Sequence, residues 1–212
     1  MPTPKFDKLC IEFVKRIPDQ LEDNTFVPGS GILPRSFLLS AETIIDYINR
    51  AFQRLFNIHW TALNGNIQAF INLFPELQVI SEEEDLVNGE YVVIDPYLDF
   101  FKIIGAFTDN DIYIKPKDES LYTHFKAAKY KSYQATDNDP AIIVVQNKMA
   151  VFPPDVAAKF TFHYIKFPLD PETGQAFIQD GDYDSPYAEQ WNKAIVDVAY
   201  AMYLEETVQT TQ

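Results

Sequence analysis

Three aspartates alternate along Asp180-Gly181-Asp182-Tyr183-Asp184. Alternating carboxylates can converge hard oxygens on Ca²⁺, and an EF-hand loop begins in this way. The match stops at its sixth position, which is Ser185 rather than glycine, and at its twelfth, which is Trp191 rather than a bidentate glutamate. The stretch therefore reads as solvated turn carboxylates, with Asp184 or Ser185 capping a helix. Asp109 and Asp111 form a weaker pair of the same kind. The three histidines, His59, His124 and His163, are widely separated, without a His-x-x-x-His pair or a His-Glu motif. The sequence holds no Gly-x-Ser-x-Gly elbow, no Walker-type loop and no dinucleotide fingerprint. Its single cysteine, Cys10, cannot build a disulfide framework or a multi-cysteine zinc site. No residue is assigned a catalytic, cofactor-binding or metal-binding role, and no cofactor is expected.

Charge says more than any motif. The 212 residues carry 31 acids against 17 bases, a formal net charge of −14, which argues against a protein that grips nucleic acid phosphates. The distribution is uneven. Residues 81–99 hold seven acids and no base, and residues 170–212 hold nine acids against Lys193. Lys115, Lys117, Lys126, Lys129 and Lys131 gather between them. Two readings stay open: unevenly solvated faces, or a basic patch that meets an acidic patch on an identical neighbour. The second is a heterologous contact, which closes into a ring when the rotation fits. Aromatics at 15% supply the large side chains that such contacts use.

The elements that carry these residues follow from periodicity. Phe6, Leu9, Cys10, Phe13, Val14 and Ile17 make one helical stripe, with Thr3 as cap, Pro4 at the first position and Pro18 as terminator. Cys10 lies in the stripe and reads as a packing thiol. Asp19–Pro34, with Pro28-Gly29-Ser30-Gly31, reads as a surface loop or arm. A second helix begins at Ser40. Its apolar face is Ile44, Ile45, Ile48, Phe52, Leu55, Phe56 and a boundary His59, and it breaks at Asn64-Gly65. A short third helix ends at Pro75.

Ser81–Asp85 reads as a solvated connector. From Glu90 to Pro168 the pattern is mostly short strands: Tyr91–Ile94, a hairpin of Phe100–Phe107 with Ile112–Ile114, Tyr130–Gln134, Ala141–Val145, Met149–Phe152 and Phe160–Phe167. Asn147-Lys148 is the expected tight turn. In the last strand Phe160, Phe162 and Tyr164 give an aromatic face opposite Thr161, His163 and Ile165. Pro186 then opens a final helix capped by Ser185, burying Trp191, Ala194, Ile195, Val198, Ala199 and Met202. The expected fold is α+β: a small helical bundle formed from both chain ends with an inserted antiparallel β-sandwich or barrel-like module. Its parts are residues 1–80, with the arm at 19–34, the β module at 81–170, and the loop and C-terminal helix at 171–212, the helix packing on the N-terminal helices.

Two stretches carry a family likeness. One is Tyr91-Val-Val-Ile-Asp-Pro-Tyr-Leu-Asp-Phe-Phe-Lys-Ile-Ile-Gly-Ala-Phe, and the other is Ile142-Ile-Val-Val-Gln-Asn-Lys-Met-Ala-Val-Phe-Pro-Pro-Asp leading into Phe160-Thr-Phe-His-Tyr-Ile-Lys-Phe-Pro. They resemble the inserted β region of phage head-to-tail adaptor and tail-ring proteins. The ending from Tyr187 to Glu205 is similar to the helix that closes those chains. From about Ser40 onward the chain resembles a structural ring protein of the crAss-like podoviruses. The resemblance implies a non-enzymatic virion protein of the neck or tail, made in the host cytoplasm. Its partners would be copies of itself in a twelvefold ring, the portal and the adjacent tail or neck proteins. Genomic DNA would pass through the channel without specific binding, and no membrane is involved. The resemblance brings no catalytic residue and no cofactor.

Two other classes compete. One is a different binding module, either a tail or baseplate protein without ring symmetry or an intracellular adaptor. The other is a hydrolase whose carboxylates, for instance from Asp180–Asp184, converge only in the fold. The N-terminal sequence lacks the apolar core of a secretory signal, and the longest aliphatic run, Ala141–Val145, is too short to span a bilayer.

Overall fold

The computed structural model describes residues 5–17, 39–87, 91–94, 97–109, 111–127, 135–136, 139–153, 159–169, 176 and 184–209. Thr3, Pro4, Pro18, the arm at 19–34, the expected strand Tyr130–Gln134, and Asp180 and Asp182 lie outside them. The chain is mixed α+β, with a curled, mostly antiparallel sheet and five α-helices among the described residues: α1 (Phe6–Val14), α2 (Ala41–Ala62), α3 (Ile67–Leu73), α4 (Tyr122–Ala127) and α5 (Asn192–Gln209). It divides into two compact units, Met1–Leu77 with Phe167–Gln212, and Gln78–Lys166.

The helices of the first unit begin and end for local reasons. The Ser40 hydroxyl accepts the Thr43 N–H at 3.2 Å, the N-cap read from the sequence. At the far end Asn64 and Gly65 adopt φ of 51° and 68°, a left-handed pair that stops α2. The Asn66 side chain then caps α3 by accepting from Ala69 N–H at 3.1 Å. α1 starts from an extended Lys5 that offers no side-chain cap, and Phe6, Leu9, Cys10, Phe13 and Val14 are all buried. α5 starts later than the sequence suggested. Ser185 accepts the Tyr187 N–H at 3.1 Å in a local turn, Ala188 N–H donates to Glu76 at 2.9 Å, and the α-helix proper begins only at Asn192. Pro186 is buried outside the helix.

An aromatic chain fills this unit. Phe56 meets Phe70 at 5.0 Å between centroids, Phe70 meets Phe74 at 5.1 Å, and Phe74 meets Trp191 at 4.6 Å and Tyr187 at 5.4 Å. Tyr187 is fully buried and donates its hydroxyl to the Phe52 carbonyl at 2.9 Å, and burial raises its pKa well above that of a free phenol. His59 rests against Phe74 and Trp191, and burial lowers its pKa, so near neutral pH it is an uncharged boundary ring. Replacing Phe74 by alanine opens a cavity among four aromatic neighbours and should cost about 3–5 kcal/mol, read as a lower urea midpoint with unchanged slope.

Ion pairs join the helices at their margins. Arg50 donates to Glu206 at 2.5 Å, Tyr47 donates to the other Glu206 oxygen at 2.6 Å, Arg54 pairs with Glu205 at 3.2 Å, and Arg16 pairs with Asp197. Burial, with the Glu206 bond adding to it, pushes the Tyr47 phenol up to about 12. The Arg50 bond holds the Glu206 carboxyl below its ordinary value near 4.5. Because the folded value is the lower one, this stabilisation is complete above the unfolded-state value and is lost as pH falls through the folded value. The stability gap between wild type and Glu206→Gln should therefore narrow between about pH 6 and about pH 3 in urea titrations.

The second unit is built on a sheet of eight strands: β1 (Gln78–Ile80), β2 (Glu84–Asp85), β3 (Tyr91–Val93), β4 (Phe100–Thr108), β5 (Tyr113–Pro116), β6 (Ala141–Val145), β7 (Lys148–Phe152) and β8 (Lys159–Lys166). Their order is β1-β8-β4-β5-β6-β7-β3, with β2 also on β8, and every pair is antiparallel except β5 with β6. Register assigns the faces. Val92 lies opposite Met149 and Ile142 opposite Val151, and all four enter a core with Ile103, Ala106, Ile114, Phe160, Phe162 and Tyr164. Both halves of the curled sheet thus bury one face in a shared interior, and the aromatic face read for β8 belongs to it. On the other face Gly105 leaves room for the Tyr113 ring, whose nearest atom would lie 2.4 Å from an added Cβ.

Three sequence readings are corrected here, and one strand is added. Ser81–Asp85 is not a solvated connector throughout: Ser81 is buried and exchanges hydrogen bonds with Phe162, Glu84 accepts from Tyr97, and Glu84–Asp85 pair with β8. β1 gives no signal in the sequence, because three residues are too few to show alternation. The tight turn is Gln146-Asn147, with Gln146 at φ 55°, so Lys148 belongs to β7. Between β5 and β6 the chain forms a helical turn at Glu119–Leu121, N-capped by Asp118 accepting Ser120 N–H at 2.9 Å, and runs directly into α4.

Candidate functional site

β7 pairs with β6 on one side and β3 on the other, and its alternation fixes what it offers. Met149 and Val151 point into the core, so Lys148, Ala150 and Phe152 point away from it. Register carries Tyr91 of β3 and Val145 of β6 to the same outer face, opposite Ala150 and Lys148. α4 adds Tyr122, Phe125 and Lys126, with Tyr122 and Phe125 at 6.1 and 5.6 Å from the Phe152 ring. Strands and helix together enclose a groove of about 670 Å³.

The chemistry of the groove is a repeated pairing of ammonium and ring. Lys148 Nζ stands 4.2 Å from the Tyr91 ring centroid, and Lys126 Nζ stands 5.7 Å from that of Tyr122. Such contacts contribute roughly 0.5–1 kcal/mol each at exposed sites and hold the cations over an apolar floor. Both lysines are exposed, and among the described residues neither has a carboxylate partner. Exposed Gln146 adds an amide at the rim. The groove therefore offers positive charge, flat aromatic surface and hydrogen-bonding capacity, the groups that hold an anionic ligand with apolar side chains. A larger concavity of about 760 Å³ lies along α2, but its cations Arg50 and Arg54 are already engaged by Glu206 and Glu205.

The residues singled out in the sequence are dispersed. Asp184 pairs with Lys5 at 3.3 Å, Asp109 and Asp111 are exposed, and among the described residues no three His, Cys, Asp or Glu side chains converge as a metal site. His59 is in the aromatic core of the first unit, His124 is exposed on α4, and His163 lies against Phe107 with its pKa lowered by burial. Cys10 is fully buried. Asp99 is buried too, accepting the Tyr164 hydroxyl at 3.0 Å. Burial first, with Glu84 and Asp99 adding to it, raises the Tyr97 and Tyr164 phenols well above their ordinary value, which makes both permanent donors. Of the clustered lysines, Lys126 lines the groove, Lys115 is exposed, Lys117 is half-buried, and Lys129 and Lys131 lie outside the described residues. The grouping of Lys148 with the groove's four rings, Tyr91, Tyr122, Phe125 and Phe152, is not read from the sequence. The signal was present: once Met149 and Val151 are given to the core, Lys148, Ala150 and Phe152 must face outward.

No protein-family model matches the chain, and no curated protein matches it in sequence. Among the described residues no helix is long and apolar enough to cross a membrane.

An aromatic anion such as 8-anilinonaphthalene-1-sulfonate should report the groove directly. Its fluorescence with the full chain should titrate to saturation and weaken as salt rises, and Lys126→Glu/Lys148→Glu should reduce affinity by about threefold to tenfold.

Proposed function

We propose that the chain is a non-enzymatic structural subunit of a phage neck or tail that associates with copies of itself into a ring between portal and tail. In this reading the helices from both chain ends form one small bundle, and the barrel-like β module is its insertion. The observation that carries the proposal is the lysine-and-aromatic groove on a chain of net charge −14. A cationic, aromatic surface on an acidic protein is matched by an acidic partner, and another copy of the same chain is one. The sequence resemblance to head-to-tail ring proteins supplies the setting, with the portal and adjacent tail proteins as neighbours.

The acid excess fits passage of a genome. Glu82 and Asp85 are exposed, and carboxylates along a channel would repel DNA phosphates instead of binding them. Asp99, buried, and Glu84, bonded to Tyr97, are not available for that task.

Counting peptides of this chain against those of the portal in purified particles tests the proposal. One copy per portal subunit is the expected result. A count well below one would favour a tail or baseplate protein without ring symmetry, and absence from particles would overturn the virion role.

A further inference from the structure

We infer that the groove between α4 and the β3-β7-β6 face receives residues 170–183 of a second copy of this chain. The inference rests on the self-association proposed above and names the contact that carries it.

The groove selects its occupant by chemistry. Two ammonium groups held over aromatic rings call for carboxylates on a segment that also brings apolar side chains. The chain has three acid-rich stretches, and two are engaged at home in part. Among its described acids the first leaves only Glu82 and Asp85 exposed and outside an ion pair, beside and within β2, whose backbone pairs with β8. In the first, Glu83 pairs with Lys159 at 3.2 Å, Glu84 accepts from Tyr97, and Asp99 is buried against Tyr164. On α5, Asp197, Glu205 and Glu206 pair with Arg16, Arg54 and Arg50. The third, residues 170–183, carries Asp170, Glu172, Asp180 and Asp182 without a single base, and it interleaves them with Phe177, Ile178 and Tyr183. Its composition is the complement of the groove: carboxylates for Lys126 and Lys148, and rings and an aliphatic chain for the floor. Groove and segment are different parts of the chain, so the contact is heterologous and repeats head to tail until the rotation closes it.

Sedimentation velocity on the full chain and three variants tests this. The groove variant is Lys126→Glu/Lys148→Glu, the segment variant is Asp180→Lys/Asp182→Lys, and the third combines all four changes. Wild type should assemble, and each double variant alone should lose association by about a hundredfold and sediment as a monomer. An equimolar mixture of the two double variants matches the intact segment with the intact groove and the reversed segment with the reversed groove, so it should assemble again with the two variants alternating. The fourfold variant has its charges exchanged and should assemble again. Circular dichroism and melting confirm that each variant folds, and Lys126→Gln/Lys148→Gln replaces the groove variant if it does not.

Assembly of either double variant at wild-type strength would overturn the inference while leaving self-association standing. So would a mixture that stays monomeric, or a groove that proves to be filled by the chain's own segment, with assembly unchanged by the reversals. A wild-type chain that remains monomeric at every concentration would overturn the self-association proposal and this contact with it.

Discussion

A strand that gives one face to a core must present the other face elsewhere, and this constraint organises the second unit. β7 buries Met149 and Val151 and thereby commits Lys148, Ala150 and Phe152 to the opposite side. A slip of one residue would put an ammonium into the hydrophobic interior, at a cost of several kcal/mol. Burial of the core thus sets the position of Lys148 over Tyr91. The groove is a consequence of how the sheet folds, with α4 added above it.

Electrostatics separates the groove from the rest of the chain. In the helices, acids and bases are matched: Arg16, Arg50 and Arg54 each meet a carboxylate of α5. Exposed pairs of this kind contribute about 0–1 kcal/mol each, so their main effect is to fix which helical faces meet. Lys126 and Lys148 are held by rings instead, with no carboxylate partner among the described residues. The buried acid Asp99 and half-buried Glu84 belong to a third category, serving as acceptors for Tyr164 and Tyr97 within their own unit.

Long amphipathic stretches were legible in the sequence. The stripe of α1, the Ser40 cap of α2, the Asn64-Gly65 stop and the strands Ala141–Val145 and Phe160 onward all follow from spacing and turn chemistry, and the structure has them. Short or polar elements were not. β2 reads as charged loop because its pairing to β8 uses backbone groups, and α4 has too few turns to display a face. The start of α5 was displaced because Ser185 and Pro186 imitate a cap, while the backbone there turns toward Glu76 first. Of the candidate site only Lys126 was legible, as one member of the lysine cluster. The rest depended on α4 and on the register of β7, which a one-residue shift in the perceived turn concealed.

Native mass spectrometry of the full chain at near-physiological salt tests the central claim, that this protein recognises itself, most directly. The account predicts one dominant closed species of about twelve chains that dissociates as ionic strength is raised. A spectrum containing only the 24.4 kDa monomer at every concentration would contradict it.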